Sequence, residues 1–273
     1  VGAERLTDLQ VACRASEGSP QLRVEDGSRP PAAEAPHRSL SDNERLVVLG
    51  ARCLLSSVLE YGHQSVLAGI GLSFSAARLV KGLLLARARD VELLVETGFQ
   101  DFGHGEPEET DPYLLSQRNV EQSRRLTGIE QTLGALVCGA QNRCIGVVGC
   151  AQIDPLAHLN STLVGGQLVV GSGGAADIAA GARELVVLAR LDRLVPKVEH
   201  VTSRARGPTS VVTERGVLRL QSDGSWVFQE RALERGHADK PPDWSRFFND
   251  RGWNRVHVER ASTPPLSDVE RSF

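Results

Sequence analysis

The chain has 273 residues, a length that allows one large α/β domain or two small ones. Hydrophobic residues make up 41% of the chain and charged residues 24%, a balance that excludes a wholly disordered protein. The formal net charge of −3 offers no strongly basic face, so we expect no nucleic-acid partner.

The sequence also indicates the cellular compartment in which the protein is expected. No apolar run reaches the 18 or more residues that a membrane span needs, and the first 20 residues lack the apolar core of a secretory signal. None of the five cysteines has CxxC spacing, and the three that are spaced by six, at 138, 144 and 150, lie in apolar sequence, which predicts small buried residues and no metal site. The five are Cys13, Cys53, Cys138, Cys144 and Cys150. We therefore expect a cytoplasmic protein, and the excess of arginine over lysine is typical of a GC-rich bacterial genome.

The N-terminal part of the chain differs in composition from the rest. Residues 15–40 are rich in Pro, Ser, Gly and charge, which predicts an extended arm over 1–40 ahead of one domain over 41–273. Ser41 and Glu44 have the spacing of a capping box, so a helix should begin there and continue to about Leu59.

The next part of the chain alternates between short apolar runs and helical spacing. Strands are predicted, in chain order, at 65–70, 91–95, 145–148 and 184–190, with a helix at 74–88. Three later segments alternate more strongly and predict edge or antiparallel strands at 197–202, 210–213 and 216–221. This order predicts an α/β fold with an open, mostly parallel sheet flanked by helices.

Glu96 is the most informative carboxylate, since it ends an apolar run just before Thr97 and Gly98. At a strand tip with little water around it, a carboxylate needs hydrogen bonds and becomes more nucleophilic. A carboxylate that only caps the following turn is the favoured interpretation of this pattern taken alone. The carboxyl ends of parallel strands meet at one edge, which should gather 69–71, 96–98, 152–154 and 171–174 there.

A glycine-rich turn leads into an Ala-rich helix start and consists of Gly171, Ser172, Gly173, Gly174, Ala175 and Ala176. Its backbone amides could approach an anion or a developing oxyanion closely. The turn matches neither GxGxxG, nor the P-loop, nor GxSxG, and a purely structural turn is an equal alternative. His104 and His158 could act as bases, although exposed loop histidines are the favoured interpretation.

Taken in order, several motifs resemble a known family. The series is Gly-Ile-Gly at 69–71, Glu-Thr-Gly at 96–98, Ala-Gln-Ile-Asp at 151–154, Asn-Ser-Thr at 160–162, Gly-Ser-Gly-Gly-Ala at 171–175 and Val-Thr-Ser at 201–203. This series resembles the β subunit of family I CoA-transferases, and the resemblance covers roughly residues 45–220.

The resemblance implies a site at the contact between an α-type and a β-type subunit, in a heterodimer or heterotetramer. Glu96 stands at the position of the nucleophile of a ping-pong reaction that moves CoA between an acyl-CoA and a carboxylic acid through a glutamyl-CoA thioester. The glycine turn stands at the family's oxyanion and CoA-binding loop. Further loop and substrate positions are Gly69, Gly71, Gly98, Gln152 and Asn160. The resemblance implies coenzyme A thioesters as substrates, with no bound cofactor and no metal.

The chain departs from the family pattern in several places. Ala157, His158 and Leu159 replace the usual residues before Asn160, and the segment over 226–253 replaces the family's C-terminal region. Alternatives are an acyl-CoA hydrolase, another acyl-transfer or decarboxylase variant of the scaffold, and a non-catalytic subunit of a heteromeric complex. Retention of Glu96 together with the glycine turn favours the transferase.

Overall fold

The computed structural model describes residues 39–101, 120–140, 142–231, 233, 242–260 and 263–273. The arm predicted over 1–40 falls almost wholly outside the described residues, as do Cys13 and His104. The arm therefore stays a prediction.

The helices begin with the predicted capping box. The Ser41 backbone N–H donates to Glu44 Oε2 at 2.7 Å, and the Glu44 N–H donates to Ser41 Oγ at 3.3 Å. The helices of the described residues are α1 (Asp42–Tyr61), α2 (Leu72–Leu85), α3 (Ala175–Gly181), α4 (Trp244–Asn249) and α5 (Asp268–Ser272), with a π-helix at Glu130–Val137 and a 3₁₀ turn at Leu191–Arg193. The first helix thus begins where its cap predicts.

In the part of the chain that the structure describes, ten strands form the main sheet, and five short strands form two smaller sheets. The main strands are β1 (Ser65–Ala68), β2 (Glu92–Leu94), β3 (Phe99–Gln100), β4 (Arg125–Leu126), β5 (Cys144–Gly149), β10 (Glu184–Leu188), β12 (Thr209–Thr213), β13 (Gly216–Leu220), β14 (Trp226–Glu230) and β15 (Val256–Arg260). The short strands are β6 (Gln152–Ile153), β7 (His158–Asn160), β8 (Leu163–Val164), β9 (Gln167–Leu168) and β11 (Ser203–Arg204). The main sheet runs in the order β15-β14-β13-β12-β10-β5-β1-β2-β3-β4.

Its centre is parallel: β12, β10, β5, β1 and β2 all run in one direction. Helices α1 and α2 pack on one face, while α3 and the π-helix pack on the other. The chain leaves β1 through α2 toward β2, and leaves β5 through α3 toward β10 on the opposite side. The predicted α/β fold with an open, mostly parallel sheet and flanking helices is confirmed.

The strand predicted at 197–202 is wrong. In this segment side-chain oxygens take up backbone donors: the Val198 N–H donates to Asp154 Oδ2 at 3.4 Å, and the Glu199 N–H donates to Gln152 Oε1 at 3.2 Å. Only at its end does the Thr202 N–H donate to the Leu159 carbonyl of β7, at 2.8 Å. The segment therefore follows the β6–β7 hairpin in an irregular path, and pairing resumes only in β11.

The segment over 226–253, predicted to replace the family's C-terminal region, extends the sheet. Strand β14 pairs with β13 and with β15, and α4 packs its aromatic side chains beneath them. The rings of Trp226 and Trp253 lie 5.3 Å apart, and Phe228 lies 4.9 Å from Trp244 and 5.0 Å from Phe248. This cluster joins the added strands to the core on the α3 face of the sheet.

The cysteines follow the prediction only in part. Cys53 and Cys144 are buried, and burial raises the pKa of the Cys144 thiol to about 11. Cys138 is exposed, which corrects the prediction for that residue. It caps the carboxyl end of the π-helix at the surface, where its Sγ lies 3.7 Å from the Asp177 carbonyl. Within the described ranges, no helix is long and apolar enough to cross a membrane.

Candidate active site

The turn after β2 presents Glu96 at the carboxyl edge of the parallel sheet. Val95 is buried, and its N–H donates to the Phe99 carbonyl at 3.1 Å as the chain reverses into β3. Glu96 itself is half-buried. The turn needs a glycine at position 98, because φ there is +102° and a Cβ would lie 1.8 Å from the Thr127 carbonyl oxygen. The backbone thus fixes Glu96 at the strand tip.

The glycine turn meets the Glu96 carboxylate. The Gly174 N–H donates to Glu96 Oε2 at 2.7 Å, so the structure brings together two elements that the sequence separates by 78 residues. A Cβ on Gly173 would lie 2.9 Å from Glu96 Oε1, and a Cβ on Gly174 would lie 2.5 Å from Oε2. No larger residue fits at position 174 without displacing the carboxylate.

The local geometry of the turn orients that amide. Gly174 caps the amino end of α3, and the Ala175 N–H is occupied by the Ser172 carbonyl at 3.2 Å. Gly171, Ser172, Gly173 and Ala176 are exposed, whereas Gly174 is buried. The arrangement therefore directs one buried donor at one carboxylate oxygen, the geometry that stabilises negative charge on that oxygen.

Gln152 and Asn160 belong to a separate network. Asn160 is fully buried, and its Nδ2 donates to Gln152 Oε1 at 2.8 Å and to the Leu163 carbonyl at 2.5 Å. Gln152 Nε2 donates to Glu199 Oε1 at 2.9 Å, and Glu199 Oε2 accepts from the Gly165 N–H at 2.6 Å. These amides fasten the β6–β7 hairpin to the following segments, and substrate contact by either amide stays a prediction.

Asp154 and His158 complete the hairpin. Asp154 is buried and accepts from the backbone N–H groups of Leu156 at 3.0 Å and of His158 at 3.1 Å. The His158 ring lies against the same carboxylate, with Nδ1 3.3 Å from Oδ2. His158 is thus half-buried at the start of β7, against the Asp154 carboxylate, which corrects the favoured prediction of an exposed loop histidine.

Gly69 and Gly71 lie at the carboxyl end of β1, the strand beside β2. The Gly69 N–H donates to the Val147 carbonyl at 2.8 Å, which continues the pairing with β5 past the end of the strand. Gly71 adopts φ +80° and caps α2 without a side-chain hydrogen bond. Of the four segments predicted at this edge, the structure brings Glu96 and the glycine turn into direct contact.

Two buried polar clusters were not found from the sequence. Lys81 is 1% exposed, and its Nζ lies 2.9 Å from Asp101 Oδ1 and 3.1 Å from the Val91 carbonyl. Glu184 accepts from Ser57 Oγ at 2.7 Å and lies 3.0 Å from His63 Nε2. A lysine among the apolar positions of a predicted helix was the one available signal for the first cluster.

Both clusters lie toward the amino ends of the strands, away from Glu96. Glu184 begins β10, and Lys81 contacts the residue before β2. A cavity of about 470 Å³ at this edge is lined by residues that include His63, Asp101 and Arg125. Among the described residues, no group of three His, Cys, Asp or Glu side chains is close enough to hold a metal ion.

No protein-family model matches the chain. The chain is 29% identical over 182 residues to the B-subunit of glutaconate CoA-transferase from Acidaminococcus fermentans. The aligned residues cover 58% of this chain and 66% of that relative, slightly under two thirds of its length.

Solved structures share the fold, among them the following three. The crystal structure of glutaconate coenzyme A-transferase from Acidaminococcus fermentans matches with a TM-score of 0.64 at 20% identity, over 83% of this chain and 91% of that chain. The decarboxylase AibA/AibB matches with a TM-score of 0.62 at 19% identity, over 86% and 93%. An acyl-CoA transferase of Escherichia coli, in a thioester complex with CoA, matches with a TM-score of 0.51 at 16% identity, over 71% and 38%.

Proposed function

We propose that this chain, a family I CoA-transferase B-like protein in sequence and fold, is the nucleophile-bearing subunit of an enzyme that moves CoA between an acyl-CoA and a carboxylic acid. The observation that carries the proposal is the half-buried Glu96 carboxylate held against the Gly174 amide at the carboxyl edge of the sheet. The proposed substrates are a coenzyme A thioester and a free carboxylate, and no bound cofactor takes part.

The reaction proceeds by covalent exchange on Glu96. A Glu96 oxygen attacks the thioester carbonyl, the C–S bond breaks, and a mixed anhydride and the CoA thiolate result. The thiolate then attacks the Glu96 carbonyl carbon and displaces the first acid as its carboxylate, which leaves a glutamyl-CoA thioester. The acceptor carboxylate reverses both steps, so that Glu96 is regenerated and the acceptor leaves as its CoA thioester.

Gly174 supports this route because of where its amide points. Whenever the Glu96 carbonyl is attacked, negative charge develops on its own oxygen, and the Gly174 N–H already lies 2.7 Å from Oε2. A donor placed before the reaction costs no reorganisation during it. The same amide thus holds the resting carboxylate and stabilises the tetrahedral intermediates formed on it.

The proposed enzyme needs an α-type partner chain. The curated relative is one subunit of its enzyme, and the decarboxylase of the same fold carries two names, AibA and AibB. We propose a heterodimer or heterotetramer in the bacterial cytoplasm, with the site completed at the contact between the two kinds of subunit.

Covalent labelling tests the proposal. The chain is purified together with its α-type partner, incubated with acyl-CoA, and examined by intact mass and by borohydride trapping. We expect a CoA adduct that Glu96→Ala abolishes and that Glu60→Ala, a change at an exposed glutamate, leaves intact. Full turnover by Glu96→Ala would contradict the mechanism.

The fold shared with a decarboxylase supports a second candidate, a variant acyl-CoA chemistry on the same scaffold. The same experiment separates the two. Steady CoA release without an adduct on Glu96 indicates hydrolysis, and CO₂ release that persists in Glu96→Ala indicates decarboxylation. A non-catalytic subunit would give neither an adduct nor a change in turnover on mutation.

A further inference from the structure

A network of polar side chains adjoins the turn that carries Glu96. Thr127 Oγ1 accepts a hydrogen bond from Gln100 Nε2 at 2.8 Å and donates to the Gly98 carbonyl at 3.4 Å. The same carbonyl accepts the Thr127 N–H at 2.9 Å. Gln100 is 3% exposed and belongs to β3, the strand that follows the turn. Thr127 is therefore bonded both to the turn and to the strand that leaves it.

The Thr127 hydroxyl also reaches the π-helix. Thr132, near the amino end of that helix, is fully buried, and its Oγ1 lies 3.1 Å from Thr127 Oγ1 and 3.3 Å from the Gly128 carbonyl. Helices of this type are rare and frequently occur at functional sites. The two hydroxyls thus join the Glu96 turn to the first residues of the π-helix.

The next residue of the π-helix contacts the glycine turn. Leu133 is almost fully buried, and its Cδ1 lies 3.1 Å from the position of a Cβ on Gly174. The π-helix also packs against α3, the helix that begins at the glycine turn. Two adjacent residues of one helix therefore hold the two halves of the site, Leu133 directly and Thr132 through Thr127.

We propose that Thr127 is a positioning residue that fixes the distance between the Glu96 carboxylate and the Gly174 N–H. The proposal rests on the function proposed above, in which Glu96 is the nucleophile. Thr127 acts through the backbone, because its hydroxyl ties the Gly98 carbonyl to Thr132. Without that hydroxyl, the Glu96 turn is free to move away from the π-helix and from the glycine turn packed on it.

Substitutions that separate the hydroxyl from the shape of the side chain test the proposal. Thr127→Val keeps the shape and removes the hydroxyl, so kcat of the enzyme purified with its α-type partner should fall about tenfold, less than the hundredfold typical of a displacement of about 1 Å. KM should stay within about twofold, since substrate binding is not altered. Thr127→Ser keeps the hydroxyl and should restore kcat.

The matched control removes a buried hydroxyl elsewhere in the sheet. Thr209, at the amino end of β12, is 3% exposed, and its Oγ1 donates to the Gly207 carbonyl at 2.9 Å. Thr209→Val should therefore lose a comparable hydrogen bond and leave kcat unchanged.

A second measurement does not depend on turnover. In protein that carries isotopically labelled glycine, the Gly174 amide proton is assigned from its loss in Gly174→Ala. Its resonance should move upfield in Thr127→Val, because the hydrogen bond to Glu96 lengthens, and should return in Thr127→Ser.

The outcomes separate the positioning role from the mechanism. Wild-type kcat in Thr127→Val, an unmoved Gly174 resonance, or equal losses in Thr127→Val and Thr127→Ser each overturn the proposal. If Thr127→Val does not fold, Thr132→Val removes the other hydroxyl of the pair, with the same expected results. If the wild type forms no adduct on Glu96, the proposed function fails, while the Gly174 resonance still decides the positioning role.

Discussion

The surroundings of Asn160 and of Glu96, two motif residues at the carboxyl side of the sheet, differ in how many of the hydrogen bonds that the side chain can form are present. Asn160 is fully buried, and its amide bonds to Gln152 and to the backbone of Thr162 and Leu163, just after the β6–β7 hairpin. Glu96 is half-buried, and among the described residues its side chain accepts one hydrogen bond, from Gly174. A fully bonded buried network holds a shape, whereas a carboxylate with an unoccupied oxygen remains available for chemistry. Asn160 and Glu96 belong to the same series of motifs, but the first supports the structure and the second is available to react.

Glu96→Gln tests the reactive side of this comparison and should give the largest effect. The amide cannot act as the nucleophile, so turnover should fall on the order of a thousandfold or more. Its carbonyl can still accept from Gly174, so the midpoint of thermal unfolding should stay close to that of the wild type. A large drop in that midpoint would show that Glu96 is part of the scaffold and contradict the distinction.

Gly174→Ala should misplace the nucleophile without removing it. The added Cβ would lie 2.5 Å from Glu96 Oε2, and a shift of that kind typically costs about a hundredfold in turnover. The matched control is Gly134→Ala, at an exposed position of the π-helix, since a Cβ there meets no atom within 4 Å and should leave steady-state kinetics unchanged. Equal activity of the two variants would refute the role given to the Glu96–Gly174 contact.

Asn160→Ala should affect stability first. Its removal takes away the donor to the Leu163 carbonyl and the acceptor of the Thr162 and Leu163 N–H groups, while Gln152 Oε1 keeps the Glu199 N–H; the loss should cost about 2 kcal/mol in denaturant unfolding. Asn254→Ala, at an exposed position, is the control. A variant that keeps its stability but loses affinity for substrate would instead make Asn160 a binding residue.

The smallest effect concerns pH. Two hydrogen bonds lower the pKa of the Glu199 carboxyl below its ordinary value: the larger effect comes from the Gly165 N–H and the smaller from the Gln152 side chain. Because the folded pKa is depressed, the contribution of these bonds is complete above the ordinary pKa and is lost as pH falls through the lowered one. The Gly165 amide resonance should follow this titration between pH 7 and pH 2, and the transition should vanish in Glu199→Gln. A Gly165 titration unchanged by that substitution would place its cause elsewhere.

The sequence predicts the parts of the fold that depend on short-range patterns. The cap at Ser41 starts α1, and buried apolar runs become β1, β2, β5 and β10. The resemblance to the β subunit of family I CoA-transferases is confirmed by the curated relative and by the shared fold. The position of Glu96 at a strand tip also follows from its neighbours in sequence.

The remaining features depend on contacts between distant residues. The segment over 197–202 alternates like a strand, but the side chains of Asp154 and Gln152 take up its backbone donors. The buried Lys81 is recognisable only once Asp101 is placed beside it. The parallel pairing of β14 with β15 needs the aromatic cluster beneath it, which no local pattern reveals.

The contact between Glu96 and Gly174 also determines when the site can form during synthesis of the chain. The two residues are 78 positions apart and come from different crossovers of the sheet, so neither β-α-β unit alone carries the pair. At a synthesis rate of about 5–20 residues per second, the nucleophile is made about 4–16 s before the amide that holds it. Strand β1 likewise cannot pair with β5 until β5 has been synthesised, because Ser65 pairs with Cys144, which lies 79 positions later in the chain. The carboxylate therefore gains its hydrogen-bond donor only after the centre of the sheet can close, and a nascent chain carries no assembled site.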